Sequence, residues 1–343
     1  MDISDIRILS AGTALPGHPI DNAALARRFR MDSVWEQWVD AFVGTRSRHL
    51  SVDLQTGEVR QTLADLAVTA GHRALAGAGI DGADIDLVVM GTATPDTLMP
   101  ATVNVVADRL GIDGVPTYQL QSGCAGAVQA LDVARHMLWA GGSRTALVLA
   151  GDVSTKYFDL DLDLRKLPPA ELVNVVLFGD GAGAAVLTSD PVPGSTALRG
   201  LLNRLTGKDR APGHVLDWFG PADRLSERPG AREDFKAIEQ HVPAMAAEVL
   251  AELLDRLAWR PTDVDYLLPP QLSGRMTARI VEQLALPVAT EISCVEETGN
   301  NGNALPFLQL ERVLAKMAPG DRALGIAIES SKWIKSGFAL ERV

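Results

Sequence analysis

Cysteine is scarce in this chain. Cys124 and Cys294 are the only two among 343 residues, too few for a disulfide scaffold. Basic charge is also in short supply, with Lys plus Arg at 32 against 43 acidic residues and a net charge of −11. Without a basic block, neither nucleic acid nor an anionic membrane surface is an expected partner. No apolar run approaches the roughly 20 residues that a membrane helix needs. Met1-Asp2-Ile3-Ser4-Asp5 puts no cationic stretch ahead of an apolar one, so no signal peptide is expected. No metal-ligating pattern and no low-complexity linker stand out. The remainder, 47% apolar and 22% charged, is the mix of a globular protein with a sizeable core. The expectation is a cytoplasmic α/β protein.

Apolar, β-branched runs alternate with helix-like stretches, as in βαβ units. Helices are expected near Thr62 to Ala78 and Ala125 to Ala140. Strands should follow at Asp84 to Met90 and Thr145 to Ala150. The same order returns later: Asp84-Ile85-Asp86-Leu87-Val88-Val89 resembles Asp263-Val264-Asp265-Tyr266-Leu267-Leu268, 179 residues on. Ala146-Leu147 before Gly151-Asp152 likewise matches Ala323-Leu324 before Glu329-Ser330, 177 residues on. A repeat of half the chain length points to a duplicated α/β unit, divided here as residues 1–185 and 186–343. Its pseudo-twofold would bring the junction at Cys124 to face the one at Cys294 to Asn303, beyond the carboxyl ends of strands where ligands bind in such sheets.

Ser122-Gly123-Cys124-Ala125-Gly126 places a thiol among small residues between the strand Thr117 to Gln121 and a helix. A helix N-terminus favours a thiolate, and small neighbours admit a thioester, so Cys124 is the candidate nucleophile. Cys294 lacks that setting and is assigned to the core.

With these residues in place, the chain resembles the thiolase-fold condensing enzymes, in the ketoacyl-ACP synthase III branch with its related acyltransferases. Gly123-Cys124-Ala125-Gly126 is similar to the nucleophile motif, and Phe178-Gly179-Asp180-Gly181-Ala182-Gly183 to a glycine-rich strand-turn signature. Gly299-Asn300 resembles the site of the catalytic asparagine. Trp38 with Gly44-Thr45-Arg46-Ser47-Arg48 resembles the tryptophan and basic stretch that hold coenzyme A. The tail Glu329 to Leu340 resembles the closing segment, without its usual glycine run. The resemblance implies a duplicated five-layered αβαβα architecture and a homodimer, with Met99 of Leu98-Met99-Pro100 in the partner's acyl pocket. It also implies that Arg275 meets an acidic carrier protein. Asp180 is expected to organise a turn.

One departure changes the expected chemistry. Where the family carries a histidine in Pro-His-Gln-Ala-Asn, this chain reads Pro269-Pro270-Gln271-Leu272-Ser273. Proline has no side-chain hydrogen-bonding group, so the pair that decarboxylates malonyl thioesters is broken. A thiolate still exchanges with thioesters, but a hydroxyl acceptor wants a general base. Glu296, Glu297 and Glu329 are candidates, each read first as a solvated surface carboxylate. His214 and His241 flank a polar span from about 200 to 233 that contains Trp218 and Phe219. Both histidines are read as surface or helix residues.

The expected function is an acyltransferase in specialised, polyketide-type biosynthesis. Cys124 would accept an acyl group from acyl-CoA or an acyl carrier protein and pass it to a small-molecule or carrier acceptor. Asn300 and the Cys124 backbone would polarise the thioester. Trp38, Arg46, Met99 and Arg275 would bind substrate, with coenzyme A or phosphopantetheine as the thioester carrier and no permanently bound cofactor. Two alternatives stay open: a decarboxylative 3-oxoacyl-ACP synthase III, and a non-catalytic partner subunit of a heteromeric condensing enzyme.

Overall fold

The echoed segments become strands at matching places in two halves of one sheet. The computed structural model describes residues 6–157, 159–167, 169–217 and 231–343; Trp218 and Phe219 lie outside them. In chain order the strands are β1 (Arg7–Ala14), β2 (Ile20–Asp21), β3 (Ser47–Arg48), β4 (Leu87–Thr92), β5 (Thr117–Gln121), β6 (Thr145–Asp152) and β7 (Gly181–Thr188). They continue with β8 (Thr196–Leu205), β9 (His214–Leu216), β10 (Ala231–Glu233), β11 (Tyr266–Leu268), β12 (Thr290–Glu291), β13 (Arg322–Glu329) and β14 (Ile334–Arg342). The helices are α1 (Asn22–Phe29), α2 (Ser33–Trp38), α3 (Leu63–Ala78), α4 (Thr102–Arg109), α5 (Gly126–Trp139), α6 (Pro169–Leu177), α7 (Phe235–Leu257), α8 (Gly274–Leu284), α9 (Val295–Thr298) and α10 (Leu305–Leu314).

Among the described residues the main sheet runs β12-β11-β13-β14-β8-β1-β7-β6-β4-β5. Read outward from its centre, β1-β7-β6-β4-β5 and β8-β14-β13-β11-β12 have the same order. The halves meet where β1 pairs with β8 over two residues, Arg7 with Ala197 and Ile8 with Thr196. In each half the two outermost pairings are parallel and the inner ones antiparallel.

The strands are apolar throughout because both faces are covered. On β4, Val88 and Met90 pack against α3 and α4, whereas Leu87 and Val89 face α5. The α5 and α10 side chains share one core with residues of both half-sheets, and α7 and α8 cover the outside of the second half. The layers are therefore α3/α4, half-sheet, α5/α10, half-sheet and α7/α8. Local chemistry sets the ends: a capping box between Thr62 and Asp65 starts α3, and Gly79 in the left-handed region ends it.

Two glycines hold the halves at the site. Gly126 opens α5 where an added Cβ would stand 2.4 Å from Asn303 Oδ1. Gly302 has φ +54° and would put a Cβ 2.3 Å from Asp152 Oδ2. Each glycine marks a crossing between halves that no larger residue fits.

Candidate active site

β5 ends at Gln121, and the next turn carries Cys124 to the threshold of α5. Ser122 N–H donates to Thr92 O at 3.1 Å, and Gly126 N–H to Gly123 O at 2.8 Å. Cys124 is a part-buried residue and borders two spaces. One is a cavity of about 270 Å³ walled by Asp152, Tyr157, Phe178, His214 and Glu329. The other is a crevice of about 30 Å³ lined by Pro270 and Asn300 with Leu305 and Gln309.

Two buried carboxylates stand in the wall of the larger cavity. Asp152 is buried and accepts from Ala93 N–H (2.8 Å), Thr94 Oγ1 (3.1 Å), Asn303 N–H (2.8 Å) and Asn303 Nδ2 (3.0 Å). Burial raises its pKa while these donors work against the rise. Glu329, 5% exposed, accepts from Ser122 Oγ at 2.7 Å and from the Ser331 hydroxyl. These two carboxylates are the ends of the repeated segments. Asp152 is held by Asn303 from the second half, and Glu329 by Ser122 from the first.

This setting corrects the expectation of a resting thiolate. Desolvation pushes the Cys124 thiol up to about 12, and the negative charges of Glu329, Asp152 and Glu233 add to the effect. Its own backbone N–H pulls the other way, but a helix end cannot outweigh burial beside three carboxylates. Cys124 rests as a thiol and must give up its proton as its bond to carbon forms. Cys294 is core, as expected. It is buried, its N–H donates to Gln271 Oε1 at 2.6 Å, and burial raises its pKa.

Asn300 and Pro270 stand beside Cys124 on the crevice side. Asn300 Oδ1 accepts from Gly302 N–H at 3.1 Å, which leaves its amide N–H groups as donors. Asp180 is a buried organiser, accepting from Ser51 N–H (2.7 Å), Thr155 N–H (3.1 Å) and the Thr155 hydroxyl.

Trp38 and Arg275 meet the turn at Ala41 to Gly44, with Arg46 just beyond it, and none of the three lines either space beside the thiol. Trp38 stacks obliquely on exposed Phe42 at 6.5 Å. Arg275 donates to Ala41 O at 2.8 Å and lies against Gly44. Arg46, 67% exposed, pairs with Glu296 at 3.4 Å. Arg48 departs from the expected basic stretch. It is fully buried, donates to Val176 O, Ile20 O and Thr45 O, and desolvation lowers its pKa to about 10. It fixes loop carbonyls and cannot meet a ligand.

Of the three carboxylates proposed as bases, only Glu329 reaches the cavity. Glu296 and Glu297 are surface residues paired with Arg46 and Arg312. Met99 is 87% exposed, outside the cavity of its own chain. His241 rests edge-on against Trp333 at 5.0 Å, a helix residue as read. His214 is a correction, because it lines the cavity. A short strand inside a polar span left no periodicity to reveal this. Asp152 and Asn303 were also missed as site residues, although the echo of Gly151-Asp152 in Glu329-Ser330 was a usable signal.

Comparisons with known proteins agree with this architecture. The family model described as 3-Oxoacyl-[acyl-carrier-protein (ACP)] synthase III matches residues 118–200, and its C-terminal counterpart residues 254–330. A Streptomyces coelicolor beta-ketoacyl-[acyl-carrier-protein] synthase III is 33% identical, covering 91% of this chain and 90% of its own. The solved structure of AbyA1, described as a tetronic acid condensing enzyme, is 66% identical with a TM-score of 0.96, over 98% of this chain and 99% of that one. The priming beta-ketosynthase of the R1128 polyketide pathway is 28% identical with a TM-score of 0.81, over 98% and 96%. This chain belongs to the 3-oxoacyl-[acyl-carrier-protein] synthase III family of thiolase-fold condensing enzymes.

Proposed function

We propose that this protein condenses two thioesters through an acyl-Cys124 intermediate without decarboxylation, in polyketide-type biosynthesis. One observation carries the reading. The thiol faces a roomy cavity walled by carboxylates, whereas Pro270 fills the place of a decarboxylating histidine in a crevice of about 30 Å³, about the space of one water. A carbon nucleophile here must come from deprotonation of an already acidic C–H, not from loss of carbon dioxide.

The description of AbyA1 suggests a product class. A tetronic acid is a five-membered ring closed by one C–C bond and one lactone C–O bond. Disconnecting both leaves a 2-hydroxyacyl thioester and an acyl thioester. The latter is a 3-oxoacyl thioester when the ring carries a 3-acyl group, which is also what makes its C–H acidic enough to react without decarboxylation. Cys124 attacks the 3-oxoacyl thioester, its proton passing by way of Glu329 to the departing thiolate. The acceptor's hydroxyl then displaces Cys124, forming the ester. The carbon between the two carbonyls, once deprotonated, displaces the acceptor's thiol and closes the ring. Two thiols leave and no carbon dioxide forms. The Asn300 amide and the Cys124 backbone N–H are suited to polarise the reacting carbonyl.

Trp38 and Arg46 are assigned to coenzyme A or phosphopantetheine carriers and Arg275 to an acidic carrier protein. Arg46→Ala is expected to raise KM for a CoA thioester several-fold with kcat unchanged. Thermal stability should not move, because an exposed ion pair contributes about 1 kcal/mol at most. Steady-state kinetics beside a melting curve checks both. A homodimer is the assembly we infer, since β5 ends the sheet and Leu98, Met99 and Tyr118 are exposed beside it.

Intact-protein mass spectrometry with acetoacetyl and malonyl thioesters tests the reading, wild type beside Cys124→Ala. The expected result is an acetoacetyl mass gain lost in the variant, with no carbon dioxide from malonyl thioester. Carbon dioxide release would establish the decarboxylative alternative. A mass gain that survives in Cys124→Ala, or no gain with any donor, would overturn the assignment of Cys124.

A further inference from the structure

The condensation proposed above needs a proton removed from a hydroxyl, and carboxylates are weak bases for that step. The β9–β10 hairpin stands apart from the main sheet and brings a histidine to the cavity. Gly213 anchors it: its N–H donates to Ser330 O at 3.0 Å, and Asp234 N–H donates to Gly213 O at 2.7 Å. The next residue, His214, is thereby held beside the end of β13, where Glu329 projects. Its ring lies 6.2 Å from Phe178 at an interplanar angle of 37°, and both rings line the cavity with Cys124. No described side chain hydrogen-bonds the imidazole. Burial lowers its pKa, so it is neutral near pH 7 and has a lone pair to accept a proton.

Across the hairpin, Glu233 pairs directly with His214, so the two side chains share one face of the ribbon. Burial raises the Glu233 pKa to about 7, with the Asn174 side chain working against the rise. Its Oε2 is buried without a partner. A carboxyl whose pKa is raised by burial ionises more readily when a cation comes to the same face, and an imidazolium there is such a cation.

We propose that His214 accepts the acceptor's hydroxyl proton when that hydroxyl displaces Cys124, with Glu233 as the residue that positions and stabilises the imidazolium. The inference rests on the acyl-Cys124 reading. As the O–C bond forms, the O–H proton moves to an imidazole nitrogen, the C–S bond breaks, and the imidazolium returns the proton to the Cys124 thiolate. The products are an ester and the resting thiol, with no other reactant consumed. His214 serves the acceptor and not the thiol, whose electrostatic neighbours are the three carboxylates.

The two half-reactions separate the possibilities. Wild type, His214→Ala and Glu233→Gln are loaded with acetoacetyl N-acetylcysteamine thioester, then discharged with methyl glycolate and followed by intact mass. His214→Ala is expected to load at the wild-type rate and discharge about 100-fold more slowly, in the range of a lost general base, with partial recovery in added imidazole. Glu233→Gln should slow discharge about tenfold. Iodoacetamide should alkylate Cys124 at unchanged rate in His214→Ala and no more slowly than wild type in Glu233→Gln, which loses one of the charges that raise the thiol pKa; both results verify an intact cavity. Wild-type discharge in His214→Ala would overturn the inference alone, as would loading and alkylation that fall together with discharge. Failure of wild type to load at all would sink the acyl-Cys124 reading and the inference with it.

Discussion

Glu329→Gln is expected to slow acyl transfer by about 10²–10⁴-fold while making Cys124 more reactive towards iodoacetamide at neutral pH. The two effects run in opposite directions because Glu329 acts on the thiol in two ways. As a charge, it heads the neighbouring groups that raise the thiol pKa, behind only desolvation. Removing it lowers that pKa, so more thiolate is present at any pH and the alkylation profile moves to lower pH. As a base, it is the buried carboxylate beside Gly123, whose added Cβ would lie 3.1 Å from its carboxyl carbon. A glutamine there accepts no proton. The replacement is isosteric, and its carbonyl oxygen can still accept from Ser122 Oγ, so the cavity is kept. If Glu329 were only a repulsive neighbour, transfer would accelerate along with alkylation. If it were only structural, both rates would fall.

The pairing of Glu329 with Asp152 also shows what was readable in the chain. Period and offset identified the duplicated halves, because a strand buried on both faces must be apolar along its length, as β4 and β6 are. The 177-residue offset of Ala146 and Ala323 also joins Asp152 to Glu329, and the structure places both carboxylates at the thiol. The sequence alone nonetheless suggests a solvated surface residue at Glu329, which the structure buries. Composition cannot report burial, and a glutamate at a strand end looks alike in either setting. Arg48 failed in the opposite sense. Positions two apart in a strand share a face, but Arg46 lies outside the two-residue strand β3, so no local pattern separates the pair: Arg46 is exposed beside Glu296 while Arg48 is sealed against Val176 O. His214 had no local signal at all, since its position depends on the contact from Gly213 to Ser330, 117 residues away. The thiol's high pKa was missed for the same reason: the helix start is local, whereas the carboxylates that outweigh it come from β6, β10 and β13.

Gly126→Ala sets two local and long-range effects against each other, and the long-range one is expected to win. Alanine is favoured over glycine within a helix by about 0.8–1 kcal/mol, so propensity alone forecasts a stabilised α5. The added Cβ, however, would stand 2.4 Å from Asn303 Oδ1 and 3.2 Å from both Asn303 Cγ and Ser122 Cβ. Asn303 is short and cannot swing aside freely, because its Nδ2 donates to Ser122 O at 2.9 Å and Asp152 Oδ2 at 3.0 Å. Overpacking of this kind costs about 1–3 kcal/mol, and each strained hydrogen bond about 1 kcal/mol more. A net loss of about 2 kcal/mol is therefore expected in urea unfolding, together with a loss of Cys124 acylation, since Asn303 holds the turn that presents the thiol. Gly142→Ala is the control: its added Cβ meets nothing within 4 Å and its φ is not positive, so stability and acylation should stay at wild-type values. A Gly126→Ala variant as stable as Gly142→Ala would show that the seam between the halves yields, and that Asn303 does not fix the geometry of Cys124.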